Sequence, residues 1–311
     1  MKNCRIAAVI SFCTHDYRFL RKCLEEVAAF SDQIVVTCCD HFFNGDPEDY
    51  ALLEAAYRAF PTVVFLEFAF NPKERYGDFC TLEPAAVDQG HHWHSVGRFI
   101  SYYFINESIT HFFFFDVDEI AEGKRFSSWL LQNDLEPYSA LRFATHLYFR
   151  EARYRAAAVP DSPLLVNRAH LQPEMLLDLD ERMGLFWALP GDKKLNVRDE
   201  EGNPFIHHYS FVRPKEEMLQ KVKRWGHHWE RDWNKLIEEE FSRDFNGCDF
   251  VFGHSYTAVD PFFDPLKEPI PQSTEQISLD EHERCLPQFP NVTKLFPRDI
   301  LRKDLEIKFQ L

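Results

Sequence analysis

Asp116-Val117-Asp118 and the adjoining Glu119 place three carboxylates directly after a run of four phenylalanines, Phe112-Phe113-Phe114-Phe115. Alternate residues of an extended chain project to one side, so Asp116 and Asp118 are expected to share a face while Val117 turns away. Two carboxylates on one face suit a hard divalent cation, which prefers oxygen ligands. The competing reading is structural: these acids merely end a strand and complement the dipole of a helix over residues 126–131. So bulky an apolar run ending in Asp-x-Asp is the more specific signal, and it makes a metal centre the leading expectation.

Further chemistry lies downstream. Ile206-His207-His208-Tyr209-Ser210-Phe211-Val212-Arg213 runs into a basic helical pattern over residues 214–225. Neutral imidazole ligates divalent ions, so a His from this distant segment can complete the metal shell. His208 is the first choice, with His207 as the neighbour that could displace it. Arg213, Lys215, Lys221, Lys223 and Arg224 read either as a solvated helix face partnered by Glu216 and Glu217 or, through Arg213 or Lys215, as charge that neutralises a diphosphate. Asp192, freed for close approach by Gly191, is the candidate general base, against an ordinary turn acid; the Asp180-Glu181 pair lies in the same stretch. His91-His92-Trp93-His94 is a poor zinc motif, because adjacent imidazoles do not easily aim at one ion and no Cys stands at ligand spacing. His227-His228-Trp229 repeats that composition without a convincing ligand partner. Trp93, Trp225, Trp229 and Trp233 are either sugar-stacking faces or core.

The elements that must position these groups follow from periodicity. Residues 5–12, 33–37 and 62–66 are short apolar, β-branched runs that read as buried strands. Phe19, Leu20, Cys23, Leu24, Val27 and Phe30 form one helical stripe; residues 47–59 carry a second helical pattern, and Val96, Phe99, Ile100, Tyr103 and Phe104 form another stripe. Strands alternating with helices predict a parallel sheet covered on both faces. Leu141, Phe143, Thr145, Leu147 and Phe149 alternate instead, predicting a long, half-covered antiparallel strand and a change from wound α/β to α+β. Seven prolines over residues 261–297 predict an extended arm packed on the main body.

Composition sets limits. A net charge of −15 in 311 residues argues against a nucleic-acid footprint and makes a cation cofactor the natural means of holding an anionic ligand. Cys4, Cys13, Cys23, Cys38, Cys39, Cys80, Cys248 and Cys285 show neither zinc spacing nor scaffold density, so reduced thiols are expected. No secretory leader or transmembrane run is apparent, which gives a cytoplasmic expectation, with attachment to a membrane surface through a partner left open.

On the Asp-x-Asp after its apolar strand, the chain resembles the GT-A, nucleotide-diphospho-sugar transferase-like fold of family 2 glycosyltransferases. Ile10-Ser11-Phe12-Cys13-Thr14-His15-Asp16 resembles the family's opening strand and helix, Ser31-Asp32-Gln33-Ile34-Val35-Val36 its second strand, and Arg98 its donor-contacting arginine. The resemblance implies a Rossmann-like sheet with helices on both faces plus an α+β acceptor half. It divides the chain into a nucleotide-sugar-binding half at residues 1–135, an acceptor-binding and metal-completing half at 136–255, and the Pro-rich arm at 256–311. It further implies a Mn²⁺ or Mg²⁺ cofactor held by Asp118, Asp116 and His208. Donor contacts would come from Phe12, Thr14, Asp16, Asp40, Arg98, Asp116 and Arg213. The implied activity is transfer of a sugar, with inversion, from a nucleotide-sugar donor, a UDP-sugar foremost, to a glycan or other hydroxyl acceptor. The second strand departs from the pattern at Thr37-Cys38-Cys39-Asp40, leaving Asp40 as the candidate base-recognising acid. Two other readings stand beside this one: a haloacid dehalogenase-type phosphohydrolase using Asp116 and Asp118 with a last acidic motif at Asp192, and a non-catalytic sugar-binding protein on the same fold.

Overall fold

The computed structural model describes residues 4–73, 76, 90–177, 180–249, 251–271 and 276–309; Cys80 lies outside them. The first half alternates as expected: β1 (Ile6–Ser11), α1 (Tyr17–Val27), β2 (Gln33–Cys39), α2 (Tyr50–Ala59), β3 (Val64–Phe68), α3 (Gly90–Tyr102) and β4 (His111–Asp116). A short strand, β5 (Glu119–Ala121), and α4 (Gly123–Gln132) lead to the long β6 (Tyr138–Phe149), then β7 (Glu151–Ala156) and β8 (Asp161–Asn167). The chain continues through α5 (Glu181–Ala188), β9 (Asp192–Val197), β10 (Ile206–Phe211), α6 (Lys215–Arg224), α7 (Trp233–Phe241) and β11 (Tyr256–Ala258). It closes with α8 (Leu279–Cys285), β12 (Val292–Leu295) and α9 (Pro297–Phe309).

The strands form one mixed sheet in the order β11-β7-β6-β8-β4-β1-β2-β3-β12. From β4 to β12 every pairing is parallel; β8 then pairs antiparallel with β4, and β6 antiparallel with β8. The four-phenylalanine run shows why the parallel strands are apolar throughout. Phe113 and Phe115 pack on one face with Phe19, Leu24 and Phe126, whereas Phe112 and Phe114 pack on the other with Val96, Phe99 and Ile100. A strand buried on both sides needs apolar residues at every position. On the second face the helix sits close: a β-carbon at Gly97 of α3 would stand 2.7 Å from Thr37 Oγ1 and 3.2 Å from Thr37 Cβ, so only glycine fits there.

Two expectations need correcting. Strand β6 runs antiparallel to β7 and β8, as predicted, but parallel to β9 and β10, and it is not half-covered, because Leu141 and Phe143 pack toward α4 while Ala140 packs on the α3 face. The proline-rich tail is more than an arm. Its prolines flank the elements without interrupting them, so α8 and β12 form between them, and β12 adds a parallel edge strand beside β3. Among the described residues no helix is long and apolar enough to cross a membrane.

The sheet order also locates a ligand site. The chain leaves β1 toward β2 on one side, then returns through α3 to place β4 on the other. Loops diverge at such a switch point and leave a crevice beyond the carboxyl ends of the two strands. The acidic tripeptide falls at the end of β4.

Candidate active site

A cleft of about 640 Å³ opens at this switch point, a size suited to a small-molecule ligand. The segment after β1 supplies Cys13, His15 and Asp16, and the turn after β4 supplies Asp116, Val117 and Asp118. Distant sequence reaches the same place through strand pairing. Strand β5 pairs antiparallel with β10 in a register that sets His208 opposite Glu119, and the Tyr209 N–H donates to the Asp118 carbonyl at 3.0 Å. The hydrogen-bonded ladder therefore delivers His208 to the acidic turn, with Nε2 3.5 Å from Asp118 Oδ1.

Asp118 is 3% exposed and sits among cations. Lys221 Nζ donates to its Oδ2 at 2.7 Å and to Asp16 Oδ1 at 3.2 Å, while Arg213 Nη2 lies 3.9 Å from the same Asp118 oxygen. Burial by itself pushes the Asp118 carboxyl up, but the Lys221 ammonium and the His208 hydrogen bond outweigh it and hold the group well below its ordinary range. For His208, burial opposes protonation and the Asp118 bond favours it, with a net upward shift.

Asp116 faces the other wall. Its carboxylate accepts from Arg182 Nη2 at 2.8 Å and lies 2.9 Å from His94 Nε2 and 3.4 Å from Arg98 Nη2. Its backbone N–H donates to Glu119 Oε2 at 2.8 Å, and Glu119, fully buried, also receives Arg182 Nη1 at 2.6 Å and the Ser162 hydroxyl at 2.6 Å. His94 Nδ1 stands 3.2 Å from Glu181 Oε2. Burial and Arg98 both oppose charge on His94, yet Glu181 and Asp116 prevail and raise its pKa to about 9. Glu181 opens α5 with φ of 51°, a left-handed conformation that non-glycine residues adopt at an energetic cost, often at functional sites.

The two carboxylates thus line one cleft but serve different neighbours, because Val117 and Asp118 form a turn instead of prolonging the strand. Of the other residues proposed as donor contacts from the sequence, Asp16 lines the cleft with Asp116, Asp118 and His208, and Lys221, Asp180, Glu181 and members of both histidine-rich segments line it too. Phe12 is core beneath it, and Thr14 is tied to buried Glu48 through its N–H and hydroxyl. Asp40 lies outside the cleft, held by Lys294 Nζ at 2.6 Å, His41 Nδ1 at 2.7 Å and the Phe70 N–H at 2.8 Å. Its carboxylate is already engaged by the tail strand. Arg98 and Arg213 are buried behind the lining, Arg98 on Asp116 and Glu181, Arg213 on Asp16 and the His15 and Ser210 carbonyls. Neither lines the cleft. Asp192 is exposed at the start of β9, where its carbonyl accepts the Ser139 hydroxyl, away from the cleft. The fold thus does not bring Asp192 together with Asp116 and Asp118.

Arg182 was not read as a site residue from sequence, Glu181 only within the Asp180-Glu181 pair beside the general-base candidate, His94 only within a poor zinc motif, and Lys221 only as one member of a basic helix. Their signal is weak: single charged residues in amphipathic segments look like solvated surface until the fold buries them.

No family model matches the chain, and no curated protein matches it in sequence. Among solved structures the chain is similar to 4-diphosphocytidyl-2C-methyl-D-erythritol synthase from Anaerococcus prevotii, with a TM-score of 0.40, 10% identity and coverage of 64% of this chain and 89% of that one. It is similar to TarS of S. aureus at a TM-score of 0.38 and 10% identity, over 70% of this chain and 64% of that one. It is also similar to the glycosyltransferase GlyE of Streptococcus pneumoniae at a TM-score of 0.37 and 11% identity, over 94% of this chain and 74% of that one. Scores this low decide neither fold nor activity, and the architecture stands on its own strand order.

Proposed function

We propose that this chain is a metal-dependent glycosyltransferase of the GT-A type that transfers a sugar from a nucleotide-diphosphate donor to an acceptor hydroxyl. The observation that carries the reading is the junction of Asp118 and His208 across the β5–β10 pairing, with Lys221 on the same carboxylate, at the topological switch point of the sheet. The Asp118 carboxylate and the His208 imidazole offer two donors to a small divalent cation such as Mn²⁺ or Mg²⁺, once Lys221, which lies 2.7 Å from the carboxylate, turns away to the ligand. When bound, that cation supplies Lewis-acid stabilisation of the leaving nucleoside diphosphate.

The remaining work falls to side chains. Lys221 is the cation free to exchange Asp118 for a phosphate oxygen, since Arg213 stays behind to compensate Asp16. Asp116, fixed by Arg182 and His94, presents its outer edge to the donor's sugar or ribose hydroxyls. The base for an inverting transfer passes from Asp192 to Asp180, the exposed carboxylate of the cleft rim and N-cap of α5. A UDP-sugar remains the first donor to try.

The test is turnover of a panel of nucleotide-sugars with and without Mn²⁺, in wild type and Asp118→Asn. Metal-dependent donor hydrolysis or transfer that falls at least about a hundredfold in the variant supports the proposal. Release of phosphate from monoesters without donor turnover would instead support a phosphohydrolase. Metal-dependent donor binding without turnover would support a sugar-binding protein.

A further inference from the structure

Two histidine-rich segments that looked unpromising separately meet at the mouth of the cleft. His91, in the first turn of α3, and His227, after α6, approach with Nε2 and Nδ1 2.9 Å apart. Glu181 completes a group in which one donor atom from each of His91, Glu181 and His227 lies within 4.8 Å of the others; among the described residues it is the one cluster of three such ligands. Glu230 adjoins it, with Oε1 2.6 Å from His227 Nδ1 and 3.6 Å from His91 Nε2. All four side chains line the cleft.

We infer that His91, His227 and Glu181, with Glu230 as the fourth donor, form a binding site for a divalent transition-metal ion of the Zn²⁺ class, separate from the Asp118–His208 pair. Ligand atoms at about 2.0–2.1 Å from a tetrahedral ion stand roughly 3.3 Å apart; the spacings of 2.9, 2.6 and 3.6 Å among His91, His227 and Glu230 lie within about 0.7 Å of that, and Glu181, within 4.8 Å of the imidazoles, has at most about 1.5 Å to close. The charges also match: two carboxylates offset a dication, and two neutral imidazoles add none.

A second observation concerns Glu181 alone. Its Oε1 is enclosed and has no hydrogen-bond partner, while Oε2 is held by His94 and Arg98. An enclosed carboxylate oxygen left without a donor is unfavourable, and such a group calls for an explanation. A carboxylate held by imidazole and guanidinium on one oxygen, with the other free, is oriented as metal ligands commonly are by their outer partners. Two imidazole nitrogens in the donor set favour Zn²⁺, Co²⁺ or Ni²⁺ over Mg²⁺. An ion here ties the start of α3 to the loop between α6 and α7 across the cleft mouth.

The experiment uses the full chain, stripped with a chelator and titrated with Co²⁺, then with competing Zn²⁺. Every protein carries Asp118→Asn, so the outcome is independent of the proposed donor-side metal. The site predicts one Co²⁺ per chain with the strong visible absorption of four-coordinate cobalt, displaced by Zn²⁺, and a raised melting temperature. Adding His91→Asn or His227→Asn removes the spectrum and weakens binding at least tenfold. Because the His227 side chain is 43% exposed, its replacement leaves the fold intact, and melting in chelator checks this directly. A spectrum that survives both imidazole replacements, or no Co²⁺ or Zn²⁺ binding at millimolar ion, overturns the inference.

Discussion

Two clusters of buried charge, one at each side of β1, are built to different ends. At the sheet edge, Lys294 of β12 bridges Asp40 at 2.6 Å and Glu67 at 2.8 Å, and His282 of α8 bridges Glu67 at 2.9 Å and Glu54 at 3.3 Å. Tyr57 adds its hydroxyl to Glu67 at 2.6 Å. The result is a packed network that fastens the tail to the parallel sheet. In the cleft the same kinds of groups crowd together, but Lys221 divides itself between Asp16 and Asp118, and Glu181 keeps one oxygen without a partner. Charge at the edge is satisfied internally, whereas charge in the cleft is left able to exchange partners. Buried ion pairs contribute little net stability, but losing one partner is strongly unfavourable where nothing replaces it.

The largest expected effect tests that contrast directly. Lys294→Met removes the ammonium shared by two buried carboxylates, leaving Asp40 with His41 and the Phe70 N–H and Glu67 with His282 and Tyr57, and should cost about 3–5 kcal/mol in urea denaturation. Lys221→Met should cost less than half as much, since Arg213 remains on Asp16 and Asp118 faces the cleft. Equal losses would show that the two clusters are the same kind of structure.

The second effect is on pH dependence. The folded pKa of His94, raised to about 9, exceeds the ordinary histidine value of 6.5. Its contribution is therefore fully present below about pH 6.5 and fades as pH rises through about 9, amounting to at most about 3 kcal/mol. His282 is shifted in the same direction, once its two glutamates have overcome the burial that opposes its charge. Wild-type stability should thus fall over this window, and His94→Gln and His282→Gln should each flatten part of the slope. A slope unchanged by His94→Gln would remove the cleft from the titration.

The smallest effect is Asp192→Asn. Exposed on β9 and remote from both clusters, it should change stability by no more than about 0.5 kcal/mol and leave any donor turnover unaltered. A loss of turnover would restore it to the site.

The contrast also explains what the sequence revealed. Periodicity announced the doubly buried strands and the helices α1, α2 and α3, because apolar spacing is imposed directly by burial. Asp118 and His208 were legible because each ends or interrupts a distinctive run. Strand β12 was not, since Val-Thr-Lys-Leu between prolines carries too few residues for a pattern. Nor were the partners of the acids: nothing local distinguishes Arg182, which spans Asp116 and Glu119, from a solvated arginine, and Asp40 looked available until Lys294 was seen to reach it across the sequence. Ion pairs formed by the fold leave no period.

In the proposed function Asp118 and His208 hold a cation that couples donor binding to the cleft. Its most direct measurement is the melting temperature with Mn²⁺ and a panel of nucleotide-sugars, UDP-sugars first, in wild type, Asp118→Asn and His208→Ala. Ligands that bind the folded state stabilise it by mass action, so at a hundredfold excess over Kd a true donor should contribute about 2.7 kcal/mol. The account predicts a shift that needs metal and donor together and disappears in both variants; no shift with any donor, or one undiminished in Asp118→Asn, would contradict it.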